Sequence, residues 1–219
     1  MGKPTPDTDV YNRNEKTTDM SLFSEKLKDQ IAAIPRDLGA FRFDKPNAIA
    51  VDITVNPEDV TGEDLIAAIP DFPSSLPCST FSPSLTEESD EGLWLRSGGI
   101  AVARSPGDPD ALLGGLLFGA AFKRSAGKRL RIFIELEGVG VAEQYRGRGI
   151  GSLLGIITGE YLRTMCDTVI KWYAPLALDV FVSADFNSDG GENVYYNFYQ
   201  NFESLGERAG ASVVDDSGY

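Results

Sequence analysis

The chain has 219 residues, of which 42% are hydrophobic, and a formal net charge of -13 at pH 7. This length and apolar content predict one globular domain with room for a short appendage, and they exclude a disordered chain. The acidic balance disfavours nucleic acid and anionic membranes as partners. It favours cationic small molecules or basic peptides, although solubility alone also explains such a charge.

Histidine is absent, and the only cysteines are Cys78 and Cys166. Without histidine, Ser-His-Asp and Cys-His catalysis are excluded, together with most zinc sites. Two cysteines build neither a disulfide framework nor a metal-site spacing, so we expect a reducing, cytoplasmic location and no metal. We expect no signal peptide, because the N-terminus is polar and lacks an apolar core segment. We expect a soluble protein, because the longest apolar run, Ala111–Phe122, is shorter than the roughly 20 residues of a membrane helix.

The first 45 residues have the composition of an extension. Met1–Met20 is polar, and we expect it to be flexible. Ser21–Ile34 carries leucine and isoleucine at helical spacing and ends before Pro35, which predicts an amphipathic helix. Whether that helix packs on the main domain or on a partner, as in a homodimer, stays open. We therefore expect an extension over residues 1–45 and a main domain over 46–219.

In the first half of the main domain, hydrophobic segments alternate with turn segments that are rich in proline and glycine. The predicted elements are a strand over Ala48–Val55, a helix over Asp59–Ile69 that starts near Asp59 or Thr61, an irregular loop over Pro70–Glu88, a strand-turn-strand over Gly92–Ser105 around Gly98-Gly99, a turn over Ser105–Asp110, a strand over Ala111–Phe122 and a basic hairpin turn over Lys123–Lys128.

The stretch Arg131–Arg163 organises the rest of the domain. It begins as a strand over Arg131–Val141, on which Glu135 and Glu137 project from the same face. It continues through the turn Arg146–Gly151 into an amphipathic helix. A glycine turn before a helix N-terminus presents free N–H groups and the positive end of the helix dipole, which is the chemistry of a phosphate site.

Two glycines within that helix, Gly155 and Gly159, are one turn apart, and we interpret them as close packing of the helix on the sheet. Cys166, near the helix C-terminus, is interpreted as a core residue. The remaining predicted elements are a strand over Ala177–Ala184, a loop over Asp185–Glu192, an aromatic helix over Asn193–Leu205 ended by Gly206, and a last strand within residues 209–214. This order predicts a mixed α/β sheet.

The glycine spacing excludes two other phosphate-binding motifs. A dinucleotide fingerprint needs G-x-G-x-x-G/A, but its third position would be Ser152 if it began at Gly147 and Leu154 if it began at Gly149. A P-loop needs Gly-Lys-Ser/Thr, which the chain lacks.

The string Val141-Ala-Glu-Gln-Tyr-Arg146-Gly-Arg-Gly-Ile-Gly151 resembles the acetyl-CoA-binding motif of the GNAT N-acetyltransferase superfamily. That family's pattern, Gln/Arg-x-x-Gly-x-Gly/Ala between a strand and a helix, is filled by Arg146, Gly149 and Gly151. The sequence Phe202–Gly206 is similar to the family's aromatic-x-x-Leu-Gly ending. By element order the resemblance covers roughly Ala48–Tyr219. It implies the GNAT acyl-CoA N-acyltransferase fold, a mixed, mostly antiparallel central sheet flanked by helices.

The resemblance also implies acetyl-CoA as the acyl donor and an amine as the acceptor. The pyrophosphate would be held by Arg146, Gly147, Arg148, Gly149, Ile150 and Gly151. The backbone of Val139 and Val141 would pair with the pantetheine, and the N–H of Val141 would stabilise the oxyanion. Gly138 and Gly140 are expected at a bulge, with or without a ligand. Asn193 would lie near the CoA, unless it only caps its helix.

For catalysis the resemblance implies a basic glutamate on the strand before the motif. Glu137 is preferred to Glu135 because it is nearer the motif, and solvent exposure without catalysis stays open for both. The family's usual tyrosine acid is replaced by Phe202, so Tyr199, one turn earlier, is the substitute. Tyr195 and Tyr196 are weaker candidates, and simple packing of these tyrosines on the sheet also stays open.

The resemblance thus implies an acetyl-CoA-dependent N-acetyltransferase that acts by direct attack of an amine, and the acidic balance favours an amine carried by a cationic small molecule or a peptide. Acceptor contacts are expected from the Pro70–Glu88 and Asp185–Glu192 loops. The alternative is a catalytically weak acyl-CoA-binding sensor or partner-binding module, which the missing histidine and Phe202 favour.

Overall fold

A computed structural model describes residues 29–30, 33–35, 37–42, 49–69, 72, 84–86, 94–125, 129–173, 177–184, 189–209 and 212–215. The chain divides into two compact units, Met1–Ala33 and Ile34–Tyr219. Within the first unit Asp29 and Gln30 are helical, and most of the helix predicted over Ser21–Ile34 lies outside the described residues. All elements described below belong to the second unit.

Eight strands of the described chain form one sheet. They are β1 Asp37–Arg42, β2 Ala50–Val55, β3 Ser84–Thr86, β4 Trp94–Ser105, β5 Asp108–Ser125, β6 Arg129–Val141, β7 Ala177–Ala184 and β8 Ser212–Asp215. The order is β1-β2-β4-β5-β6-β7-β8, with β3 also paired to β4. Pairing is antiparallel from β1 through β6 and parallel from β6 through β8. The predicted mixed, mostly antiparallel sheet is confirmed, and β1 lies ahead of the expected boundary at residue 46.

Three α-helices are described with this sheet. They are α1 Gly62–Ala68, α2 Ile150–Tyr173 and α3 Asp189–Ala209. Thr61 caps α1 through a reciprocal pair of hydrogen bonds. The Asp64 N–H donates to Thr61 Oγ1 at 3.2 Å, and the Thr61 N–H donates to Asp64 Oδ2 at 2.7 Å. A 3₁₀ turn, Glu143–Tyr145, leads from β6 towards α2.

Consecutive glycines of β5 show that the sheet has a different helix on each face. A Cβ on Gly114 would lie 3.3 Å from Ile150 Cγ2 of α2. A Cβ on Gly115 would lie 2.6 Å from Leu65 Cδ2 of α1. Because successive strand residues point to opposite faces, α2 covers one face and α1 the other. The α1 face holds a buried cluster that includes Leu65, Ile69, Phe72, Ile100, Val102, Leu117 and Ala142.

Gly155 and Gly159 serve close packing, as predicted, but their partner is a helix. A Cβ on Gly155 would lie 2.7 Å from the carbonyl oxygen of Val194, and one on Gly159 would lie 2.8 Å from that of Phe198. Both carbonyls belong to α3, so the prediction of packing on the sheet is wrong. Cys166 is fully buried on α2. Burial raises the pKa of its thiol, and the predicted core role is confirmed.

One predicted turn and one predicted helix end are wrong. Gly98-Gly99 lies inside the continuous strand β4, where a Cβ on Gly99 would lie 2.5 Å from Phe118 Cζ. The small residue permits close approach and does not break the strand. Gly206 does not end the last helix, which runs to Ala209.

Two predicted loops also contain regular structure. The Pro70–Glu88 segment includes β3, which pairs with the start of β4, and most of its other residues lie outside the described ones. The Asp185–Glu192 segment holds the first turn of α3, which begins at Asp189. The helix therefore starts four residues before the predicted start at Asn193.

Candidate active site

β6 carries a β-bulge at Glu137. Leu117 of β5 pairs with Gly138, whereas the next residue, Phe118, pairs with Leu136, so Glu137 is the extra residue. A bulge leaves its residue outside the regular ladder and often redirects a functional side chain. The sequence predicted a bulge at Gly138 and Gly140, and the observed one lies one residue before this pair.

The end of β6 is paired on one side only. The parallel pairing with β7 runs from Arg129 opposite Ala177 to Leu136 opposite Ala184, while β6 continues to Val141. Among the described residues, Glu137–Val141 has strand partners only on β5. A gap thus opens between β6 and the end of β7.

Backbone polar groups of β6 face this gap. The Ala142 N–H donates to the Leu113 carbonyl at 2.9 Å, so residue 142 faces β5. Because the direction of the N–H and C=O groups alternates along an antiparallel strand, those of Val139 and Val141 face away from β5. They are the two residues for which the sequence predicted backbone pairing with a ligand.

A cleft of about 550 Å³ opens at the gap. Its walls come from Ile69, the end of β6, the turn before α2 with the first residues of that helix, and the first turns of α3. The cleft therefore lies where the unpaired end of β6 meets the start of α2 and the start of α3, which are distant from each other in sequence. The predicted cofactor residues that line it are Val139, Val141, Arg146, Gly147, Gly149, Ile150, Gly151 and Asn193.

The turn before α2 needs glycine at two positions. Gly147 and Gly149 have φ values of 73° and 83°, in the left-handed region that costs other residues about 1–2 kcal/mol. α2 begins at Ile150, and the Leu153 N–H bonds to the Gly149 carbonyl at 3.0 Å. The N–H groups of the residues just before Leu153 have no acceptor within the helix, so the wall of the cleft has the donors and dipole of an anion site.

The two arginines of the turn have different positions. Arg146 Nε donates to the Val141 carbonyl at 3.0 Å, which ties the turn to the end of β6. The Arg148 guanidinium lies over the Tyr145 ring, 5.6 Å from its centroid, in a cation–π contact. Arg146 lines the cleft and Arg148 does not.

Asn193 lies inside α3, not at its start. Because α3 begins at Asp189, the alternative that Asn193 caps the helix is wrong. Its backbone carbonyl accepts a hydrogen bond from Asn197 Nδ2 at 2.8 Å. Gly190 and Gly191, in the turn before it, also line the cleft. Sequence reasoning missed these two residues, although adjacent glycines were the available signal for a close approach.

Glu135 and Glu137 lie on the same face of β6, as their spacing predicted. A Cβ on Gly119 would lie 2.8 Å from Glu137 Oε1 and 3.9 Å from Glu135 Cβ. Glu135 is exposed and Glu137 is half-buried. Burial, followed by the charge of Glu135, raises the pKa of Glu137 to about 7. A carboxylate with this pKa can accept and release protons at neutral pH.

Tyr199 belongs to a different part of α3. Its ring centroid lies 5.8 Å from that of Tyr195, whose hydroxyl is 3.0 Å from the Val182 carbonyl and 2.6 Å from Asp215 Oδ1. These contacts put both tyrosines on the side of α3 that faces β7 and β8, and neither lines the cleft. Burial and then the charges of Asp215 and Glu203 raise the pKa of Tyr199, so it stays protonated at neutral pH.

Phe202, at the position where the resemblance led us to look for tyrosine, is fully buried. Its ring centroid lies 5.3 Å from that of Phe198, in a tilted contact. Phe202 therefore packs in the core of the domain. Tyr196 is 61% exposed and also lies outside the cleft lining.

The described residues contain no group of three or more histidine, cysteine or acidic side chains placed to hold a metal ion. None of the helices in the described part of the chain is both long and apolar enough to cross a bilayer. Compared with known proteins, the chain matches no family model and no curated protein sequence.

Proposed function

We propose that the protein is a GNAT-type N-acetyltransferase that moves the acetyl group of acetyl-CoA to an amine. One observation carries the proposal. The unpaired end of β6, the glycine turn and the N-terminus of α2 line a single cleft, and a glutamate with a pKa of about 7 lies at the bulge two residues before that lining.

The cleft has groups suited to two parts of CoA. Its anion site, at Gly147–Gly151 and the start of α2, suits the pyrophosphate. The outward N–H and C=O of Val139 and the N–H of Val141 suit the amides of the pantetheine, which would add to the sheet edge as an extra strand does. The Val141 carbonyl already accepts a hydrogen bond from Arg146 Nε. The thioester would then lie near the bulge, where β6 leaves β7.

The reaction in this proposal starts from a protonated amine. Glu137 takes one proton, and the neutral nitrogen attacks the thioester carbonyl carbon. An outward backbone N–H of β6 between the bulge and the turn, that of Val139 or Val141, stabilises the oxyanion of the tetrahedral intermediate. The C–S bond then breaks, and the second nitrogen proton passes to the CoA thiolate directly, because Tyr199 does not line the cleft. The products are the N-acetylated amine, CoA and one proton, which Glu137 releases to water.

Thiol release from acetyl-CoA over a panel of amines tests the proposal. We expect amine-dependent release by the wild type and loss of both release and acetyl-CoA binding in Gly149→Trp, which fills the cleft. Gly107→Trp is the matched control, because a Cβ on this exposed glycine would meet nothing within 4 Å. Calorimetric binding of acetyl-CoA without turnover of any amine would favour the sensor alternative. Absence of binding would contradict both functions.

A further inference from the structure

The sheet face that carries Glu135 and Glu137 continues into a pair of stacked aromatic rings. Phe133 of β6 lies directly opposite Phe181 of β7, with ring centroids 5.0 Å apart and planes inclined by 12°. Phe133 is two residues before Glu135, so its side chain is on the same face. Both rings are half-buried, with part of their surface exposed.

The neighbouring strands have glycines beside the carboxylates on this face. Gly119 of β5 pairs with Glu135, and Gly98 of β4 pairs with Gly119. Both glycines are partly exposed. The Glu137 carboxylate lies over Gly119, where a Cβ would be 2.8 Å from its Oε1, and the partly exposed glycine backbone continues from there to Gly98.

Charge is distributed unevenly along the same face. Beyond the rings, Asp179 accepts two hydrogen bonds from Arg129 Nη1, at 2.9 Å and 3.1 Å, and its Oδ2 lies 3.9 Å from Arg131 Nε. Among the described side chains, that end of the face thus has cations next to Asp179, namely Arg129 and Arg131, with Lys123 paired to Arg131 across the strands. The unbalanced negative charge is at Glu135 and Glu137, the end next to the cleft.

This inference rests on the proposed function and specifies the chemical class of the amine that accepts the acetyl group. We propose that the acceptor is a small monoamine whose ammonium group binds at Glu135 and Glu137 and whose apolar body lies over Phe133 and Phe181. The strand spacing between Phe133 and Glu135 is roughly 7 Å, which suits a phenyl ring joined to the nitrogen by a short chain of methylene groups. Ring stacking adds to the contact.

Other amine classes fit this face less well. A polyamine would bring a second cation towards Arg129 and Arg131, where like charges repel. An aminosugar would place hydroxyl groups on the aromatic rings, where they lose hydrogen bonds to water without replacement. The face therefore favours one positive charge at one end of an apolar molecule.

The test compares kcat/KM for 4-phenylbutylamine, ethylamine, spermidine and glucosamine in the thiol-release assay. We expect 4-phenylbutylamine to exceed ethylamine by at least about tenfold, because binding removes the apolar surface of its ring from water. In Phe181→Ala this ratio should fall about tenfold, mainly through KM, and Phe181→Leu should restore part of it. Thermal unfolding of both variants checks that they fold.

A preference for spermidine or glucosamine would overturn the inference and leave the proposed function intact. The inference would also be overturned if folded Phe181→Ala lost kcat/KM by the same factor with all four amines. If acetyl-CoA binds but no amine is acetylated, calorimetry measures whether 4-phenylbutylamine binds to the complex of the protein with CoA. Binding that weakens in Phe181→Ala supports this acceptor surface, and absence of binding contradicts it.

Discussion

The Glu137 carboxylate occupies the space that a side chain at residue 119 would need. A Cβ on Gly119 would lie 2.8 Å from Glu137 Oε1. The bulge at Glu137 and the bare glycine on the adjacent strand thus act together: one directs the carboxylate onto the sheet and the other leaves room for it. The resulting half-burial is the main reason that the pKa of Glu137 rises to about 7.

Gly119→Val should displace this carboxylate. If Glu137 is the base, a shift of about 1 Å should lower kcat by roughly 10²-fold. Steady-state thiol release measures the effect, and Gly107→Val, in an open turn, is the control. A Gly119→Val enzyme with wild-type kcat would show that the position of the carboxylate does not matter.

The pH dependence of kcat/KM should report the same group. We expect the rate to rise with pH through an apparent pKa of about 7, as Glu137 loses its proton. Glu137→Gln should lower the rate by about 10²- to 10⁴-fold and remove this rise. Glu135→Gln should move the midpoint to lower pH, because the Glu135 charge opposes ionisation of Glu137. An unchanged midpoint in Glu135→Gln would argue against this coupling.

Stability should depend on the same titration. The folded-state pKa of Glu137 lies above its ordinary value of 4.5, so between pH 4.5 and about 7 the folded protein binds the extra proton. The free energy of unfolding should therefore fall as pH rises through this range. The full shift corresponds to about 3 kcal/mol, but partial exposure reduces it, and we expect about 1–2 kcal/mol.

Urea unfolding at pH 5 and pH 8 measures this contribution. The decrease in the wild type should exceed that in Glu137→Gln by the amount stated, since all other groups titrate in both proteins. Equal decreases would mean that the pKa of Glu137 is not raised in the folded protein.

Gly155→Ala should disturb the contact between α2 and α3. The added Cβ would lie 2.7 Å from the Val194 carbonyl, a backbone atom that cannot move aside cheaply. We expect a loss of about 1–3 kcal/mol in urea unfolding and weaker acetyl-CoA binding, because Val194 lines the cleft. Gly107→Ala is the control. Unfolding within about 0.5 kcal/mol of the wild type would contradict so close a contact.

Local sequence signals predicted much of the fold. Alternating hydrophobic residues indicated the bounds of β7, and Thr61 was one of the two residues, with Asp59, expected near the start of α1, because strand periodicity and capping depend on near neighbours. Gly98-Gly99 and Gly206 were misassigned as breaks. Their positions depend on contacts distant in sequence, such as that of Gly99 with Phe118, which no local pattern reports.

The candidate site also has one part that local sequence signals predicted and another part that they could not predict. The Arg146–Gly151 turn could be predicted, since its residues are contiguous and its glycines do have positive φ at two positions. The role of Gly119 could not, because it depends on the register between β5 and β6. The orientation of Tyr199 depends on how α3 is rotated against β7 and β8, which sequence spacing does not determine.

The most direct test of the central claim is the rate of CoA thiol release from saturating acetyl-CoA at pH 8, with the amine of the panel that gives the highest rate, for the wild type and Glu137→Gln. The account predicts release by the wild type that depends on the amine, and a rate at least about 10²-fold lower in the variant. Release that does not depend on the amine, or equal rates in the two proteins, would contradict it.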